Sequence, residues 1–184
     1  MPDPLTLSVL GGAALTEGIK FLYGQATELL KRRRERKDAA TAEQPAQTVE
    51  TPELDGQLAQ PLRVDQAALE RLEPDLRALR RDLQDYVDGL EPVESSDDRL
   101  LQTADAVRRV LEAVYGQRIT FRGEQRPASG PLAEGRVDVG TVAGYVAGVR
   151  AKTATGTVRG MVNVDEVSAG GEVVGVDIDH LGEK

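Results

Sequence analysis

Gly140-Thr141-Val142-Ala143-Gly144, Gly156-Thr157-Val158-Arg159-Gly160 and Gly171-Glu172-Val173-Val174-Gly175 share one frame, G-x-V-x-G. They begin 16 and then 15 residues apart. Each is followed by a second Val-rich stretch: Tyr145-Val146 and Val149, then Met161-Val162 and Val164, then Val176 and Ile178. A short unit copied at near-constant spacing is one structural rung, and a rung needs neighbours to bury its apolar face. Val at almost every second position, with Gly every few residues, reads as short strands joined by tight corners. The frame therefore predicts a Gly/Val-rich, β-solenoid-like repeat. It assigns Val142, Val146, Val158, Val162, Val173 and Val176 to self-assembly. The same period also fits one β-arch per repeat or a meander of small hairpins. A monomeric solenoid, a small oligomer and a fibril all remain open at this point.

Upstream of the repeats, Arg118-Ile119-Thr120-Phe121-Arg122 alternates like a strand. A Pro/Gly-rich loop over 126–135 and Arg136-Val137-Asp138-Val139 lead into the first frame. A β-rich repeat module is accordingly placed at 117–184. Ahead of it, Leu69, Leu72, Leu76, Leu79, Leu83, Tyr86 and Leu90 alternate spacings of 3 and 4, a heptad seam. Pro74 falls within that seam and predicts either a kink or the first turn of a new helix. A second seam runs through Leu100, Ala104, Val107, Leu111 and Val114. Ser95 or Ser96 is its expected N-cap, with Asp97 and Asp98 in the first turn and Gly116 as its stop. Residues 64–116 thus read as a coiled-coil-like helical hairpin. Two helices bury too little alone, so the pair must pack on the N-terminal helix, on the sheet or on another copy.

Residues 38–63 contain Pro45, Pro52 and Pro61 among Ala, Thr, Gln and Glu, and read as a flexible linker. Residues 1–37 combine an apolar start with an intensely basic end, Lys31-Arg32-Arg33-Arg34-Glu35-Arg36-Lys37. The apolar part is interrupted too often for a transmembrane helix, and the basic cluster follows it, unlike a secretory signal. An amphipathic helix with a basic end suits an anionic membrane surface or a partner protein's groove. The expected contacts are Leu5, Leu7, Leu10, Phe21, Leu22, Lys31, Arg32, Arg33, Arg34, Arg36 and Lys37. The alternative is a core helix whose cations face solvent and complement the helix dipole.

Composition limits the chemistry. The formal net charge is −8, which argues against nucleic acid as a general partner. The chain has no Cys, which removes thiolate chemistry and fits a cytoplasmic setting. His180 is the single histidine, and no dyad can be argued from it. Asp165, Glu166, Asp177 and Asp179 do not fall in the register of a calcium-binding repeat. The glycines do not open a phosphate loop. No catalytic residue, metal, cofactor or small-molecule substrate is expected.

The start Met1-Pro2-Asp3-Pro4-Leu5-Thr6-Leu7, with the Ala/Gly/Leu stretch after it, resembles the N-terminus of membrane-acting effectors of the bacterial Bell and fungal HeLo type. Val173-Val174-Gly175-Val176 and its relatives resemble the amyloid-signalling or β-solenoid motifs at the C-termini of such effectors. The repeat region here is longer, richer in Asp and Glu, and lacks Asn/Gln ladders. The resemblance implies an N-terminal helix held on a helical bundle, and a C-terminal module that templates like sequences.

The combined expectation is an α+β chain: amphipathic helix, linker, helical hairpin and β-repeat. Its expected function is non-enzymatic assembly as a homo-oligomer, in the cytoplasm or peripheral at a membrane, within a bacterial immune or cell-death system. A soluble adaptor or scaffold whose N-terminal helix docks on a partner protein is the other expectation.

Overall fold

Leu15, Ile19, Leu22, Ala26 and Leu29 recur at spacings of 4 and 3, and all five are buried. That spacing is one stripe of an α-helix. In the computed structural model, which describes residues 5–38, 53–155 and 157–182, the stripe lies on a long helix α2 (Gly12–Asp38), after a single turn α1 (Leu5–Ser8). The chain is α+β and divides into two compact units at Ser129/Gly130.

The first unit is helical. α3 (Gln66–Asp82) is capped by Asp65, whose carboxylate accepts from the Ala67 and Ala68 amides at 3.0 Å. Such a cap satisfies amides that the helix leaves unpaired. Pro74 neither starts nor ends this helix. It sits on the exposed side, where water can serve the carbonyl it leaves without a donor. A short α4 (Gln84–Val87) follows buried Leu83. α5 (Asp98–Tyr115) begins at Asp97, which accepts from the Leu100 amide at 3.0 Å, so the cap is Asp97 and not a serine. Gly116 ends it in the left-handed region, φ 60°. The seams of α3 and α5 face each other and pack on α2, with Leu76, Leu100, Leu111 and Leu22 fully enclosed. The N-terminal helix is therefore what covers the hairpin.

Two expected boundaries move. Residues 39–52 of the linker lie outside the described residues. Its end does not behave as a linker: Leu54, Leu58 and Leu62 are buried in the helical core. Each such burial contributes about 1.5–3 kcal/mol. The segment is also held by backbone bonds to 117–129: Asp55 N–H to Thr120 O at 2.8 Å, Arg122 N–H to Glu53 O at 3.0 Å, and Ser129 N–H to Asp55 O at 2.7 Å. The Gln117 side chain brackets Ala59, accepting from its N–H at 2.6 Å and donating to its carbonyl at 3.1 Å. Residues 117–129 thus belong to the helical unit, although β1 (Gln117–Arg118) is extended. Phe121 is enclosed against α2: its ring meets Phe21 edge-on at 6.1 Å and leaves no spare room at Gly18. An apolar Ile119-x-Phe121 alternation signals burial but not which partner buries it.

The second unit contains β2 (Gly130–Val142), β3 (Tyr145–Thr155), β4 (Thr157–Val167) and β5 (Glu172–Gly182). β2 pairs with β4 in parallel, from Leu132↔Thr157 to Val142↔Val167. β3 pairs with β5 in parallel, from Tyr145↔Glu172 to Thr155↔Gly182. Consecutive strands therefore lie in different sheets, and each pairs with the next but one. The stacking offset is 25 residues in one sheet and 27 in the other, not 15–16. The frames fall at strand starts: Gly144 directly precedes β3, Thr157–Gly160 opens β4, and Gly171 precedes β5, which opens with Glu172–Gly175. Frame spacing measures one strand plus one corner, whereas stacking returns only after two.

Candidate functional site

The pairing superimposes Gly135-x-Val137-x-Val139 on Gly160-x-Val162-x-Val164. It likewise lays Val149 on Val176, beside Gly148 and Gly175. These four glycines are where the two sheets touch. A β-carbon on Gly135 would stand 1.8 Å from the Gly148 carbonyl oxygen, and one on Gly160 would stand 1.5 Å from that of Gly175. Only glycine permits this approach.

Around the glycines the interior is thin. Val142 is buried, whereas Val146, Val158 and Val162 are half-buried, and Val173 and Val176 are each 37% exposed. Of the six valines assigned to assembly, the pairing brings Val146 and Val173 together directly. Val142 pairs with Val167, Val158 with Ala133, Val162 with Val137, and Val176 with Val149. The Gly135 and Gly148 contribution was not legible, because the shared frame aligned other glycines. The signal was present as a second frame, G-x-V-x-V, at 135 and 160.

Side chains on the outer faces are complementary between paired strands. Asn163 donates to Asp138 at 2.6 Å, and Arg136 bonds the same carboxylate at 2.9 Å. Arg136, then Asn163, hold the Asp138 carboxyl below its usual range. Arg150 reaches Asp177 at 3.3 Å and lies over the Tyr145 ring at 5.2 Å. Tyr145 donates its hydroxyl to Asp177, and that bond raises the phenol's pKa. β4 ends the order of its sheet and β5 that of the other, so each presents an unpaired strand edge within the unit. Such edges are templates for another chain. His180 is exposed at the end of β5, opposite Thr153 in register.

The helical unit holds a second feature. A cleft of about 580 Å³ between α2 and α3 is lined by Thr27, Leu30, Lys31, Arg34, Arg77, Arg80 and Arg81. Arg80 is fixed in place: it donates to the Tyr23 hydroxyl at 2.9 Å and its guanidinium stands 5.4 Å over that ring. Arg77 meets Glu73 at 2.6 Å. Among the described residues, the Thr27 hydroxyl is buried without a hydrogen-bond partner. Arg77, Arg80 and Arg81 escaped the sequence reading, although their spacing puts them on one helix face.

The residues expected to meet a membrane or partner separate into two groups. Leu7, Leu10 and Leu22 are in the unit's own core, and Phe21 is half-buried against Phe121. They are not surface positions in this conformation, because their helical spacing serves the three-helix packing. Lys31 and Arg34 line the cleft. Arg32 pairs with Glu28 at 2.8 Å, and Arg33 with Glu70 at 2.8 Å and Glu73 at 3.4 Å. Arg36 is exposed. The side chains of Leu5 and Lys37 lie outside the described residues. Among the described residues, no helix is long and apolar enough to cross a membrane.

α5 carries a buried ionic cluster beneath α1. Arg108 bonds Glu124 at 2.6 Å, Thr6 at 3.2 Å and Asp105. Glu124 also accepts from the Phe121 amide at 2.7 Å. One turn on, burial raises the Glu112 pKa, although Glu112 accepts from the Ile119 amide at 2.9 Å. These groups tie the helices to the 119–126 segment.

No family model, curated protein or solved structure matches this chain.

Proposed function

We propose that this chain is a non-enzymatic assembly protein whose strand unit is a two-rung β-solenoid that stacks head to tail with other copies. β2 with β3 is the first rung, and β4 with β5 is the second. The single observation that carries this reading is the parallel, in-register pairing of glycine- and valine-matched strands in both sheets. The second rung then presents to the next copy nearly the surface that it receives from the first. Head-to-tail contacts of this kind do not close, so the stack is open-ended. Exposed Met161, Val167, Val173 and Val176 supply apolar area that a further rung would cover.

The helical unit is the effector part in this proposal, acting at an anionic membrane in a bacterial immune or cell-death context. Burial of Leu7, Leu10 and Leu22 means that α1 and α2 must leave the core before they can enter a membrane. The same burial favours a second reading, an adaptor whose helical unit docks intact on a partner protein.

Sedimentation velocity of the full chain over a wide concentration range tests the assembly claim. Oligomers that grow with concentration, and that disappear in Val158→Lys/Val162→Lys, are expected. A monomer at every concentration overturns it. Flotation of assembled protein with anionic but not neutral liposomes, lost when Arg32, Arg33, Arg34 and Arg36 become Gln, supports the effector role. Absence of flotation for assembled protein supports the adaptor.

A further inference from the structure

We infer that the cleft between α2 and α3 is a binding site for a ligand carrying more than one phosphate group. Five cationic side chains from two helices, Lys31, Arg34, Arg77, Arg80 and Arg81, line one space of about 580 Å³, and among the described residues no carboxylate lines it. Glu73, which pairs with Arg77 beside the cleft, is shared with Arg33. On a chain of net charge −8, such a local excess of positive charge stands apart from the rest of the surface. Like charges crowded together repel, and an anion with several charges relieves that repulsion.

The cleft also has fixed donors. Tyr23 holds the Arg80 guanidinium from below and through its hydroxyl, which leaves further N–H groups of that fork to donate. Arginine forks match phosphate oxygens in pairs. A space of this size is in the range of small-molecule sites and exceeds what one phosphate fills. Leu30 gives the lining one apolar surface for the ligand's scaffold. The same chemistry occurs in a free polyphosphorylated metabolite and in a multiply phosphorylated lipid headgroup.

Full-length protein titrated with inorganic tripolyphosphate, at ionic strength matched with chloride, tests the site by calorimetry and thermal melting. Saturable binding and a raised Tm are expected. Arg34→Gln/Arg81→Gln should weaken binding at least about tenfold, the loss of roughly 1.4 kcal/mol or more. The same variant without ligand should melt no lower than wild type, because repulsion is relieved. A control that removes equal charge elsewhere, Arg71→Gln/Arg99→Gln, should keep binding. Vesicles containing phosphatidylinositol bisphosphate are compared with phosphatidylserine vesicles of equal charge density. Capture by the bisphosphate vesicles alone, competed by tripolyphosphate, identifies a lipid source. Tripolyphosphate binding without vesicle capture identifies a free ligand. Equal loss in both double variants, or no binding to any probe, overturns the site. None of these readouts depends on stacking of the strand unit.

Discussion

The backbone of Gly160 lies against that of Gly175 so closely that a β-carbon on Gly160 would stand 1.5 Å from the Gly175 carbonyl oxygen. The obstacle is backbone, which cannot swing aside as a side chain can. Gly160→Ala must therefore push β4 away from β5. Overpacking a fitted interior costs about 1–3 kcal/mol, and the strand unit has little buried area to offset it. Gly160→Ala should selectively melt the strand unit, seen as early hydrogen exchange across 130–182 with slow exchange retained in α2, α3 and α5. Gly170→Ala, where nothing stands within 4 Å, tests only the positive φ of 88° and should be milder. Equal protection in Gly160→Ala and wild type would refute the close contact.

Arg108 is 1% exposed and bonds Asp105, Glu124 and Thr6 together. Removing it leaves the enclosed Glu124 carboxylate without its cation, while Asp105 keeps Arg109 at 2.8 Å; stranding one buried charge in this way costs about 3–5 kcal/mol. Arg108→Met should lower the denaturation midpoint by a corresponding amount. Adding Glu124→Gln should recover part of that loss, because one stranded charge is gone while a side-chain oxygen can still accept from the Phe121 amide. Additive losses in the double variant would show that the pair is not coupled.

Burial raises the pKa of Glu112 in the folded chain above its ordinary value. Its contribution to stability is therefore full below the unfolded pKa and declines as pH rises through the folded one. Gln at this position keeps an acceptor for the Ile119 amide and does not titrate. The Tm of Glu112→Gln relative to wild type should increase as pH rises from about 4, near the ordinary glutamate value, towards 7. Thermal melts at closely spaced pH values check this. A Tm difference that stays flat with pH, or that falls, would show that burial does not control the group.

The helices were legible because a stripe of Leu at spacings of 3 and 4 has one structural meaning, and Gly116 has one common use. What the stripes could not give was their partner. Leu15, Ile19, Leu22, Ala26 and Leu29 read equally as a surface for a membrane and as a face for α3 and α5, since both need the same pattern. Phe121 shows the same limit, since alternation reports burial and not address, whereas the composition around Leu54 reads as linker although Leu54 itself is buried. In the strand unit the G-x-V-x-G frame falls at strand starts, and its spacing differs from the pairing offset. The frame recurs once per strand, while Gly135 and Gly160, which are paired in register, lie two strands apart. Arg77, Arg80 and Arg81 carry no distinct signal in the sequence, because the other wall of their cleft comes from residues about fifty positions earlier.

Arg150 beside Asp177 makes the stacking direction testable. Within one copy the pair bridges β3 and β5 at 3.3 Å. In a head-to-tail stack, the next copy's Arg150 would meet this copy's Asp177, so the ladder alternates in sign along its whole length. The Arg150 side chain is 73% exposed and that of Asp177 is 36% exposed, so solvent screening limits each contact to about 0–1 kcal/mol. Asp177→Arg turns an attraction into a repulsion at every interface, a swing of about 1–2 kcal/mol and about tenfold in the concentration needed for assembly. The double exchange Arg150→Asp/Asp177→Arg restores alternation and should assemble at close to the wild-type concentration. It should not enter wild-type stacks, because the mixed interface sets Asp on Asp or Arg on Arg. Two-colour co-sedimentation at low salt measures this, and the discrimination should fade at high salt as the charges are screened. Free mixing of the double variant with wild type at low salt would rule out the head-to-tail register.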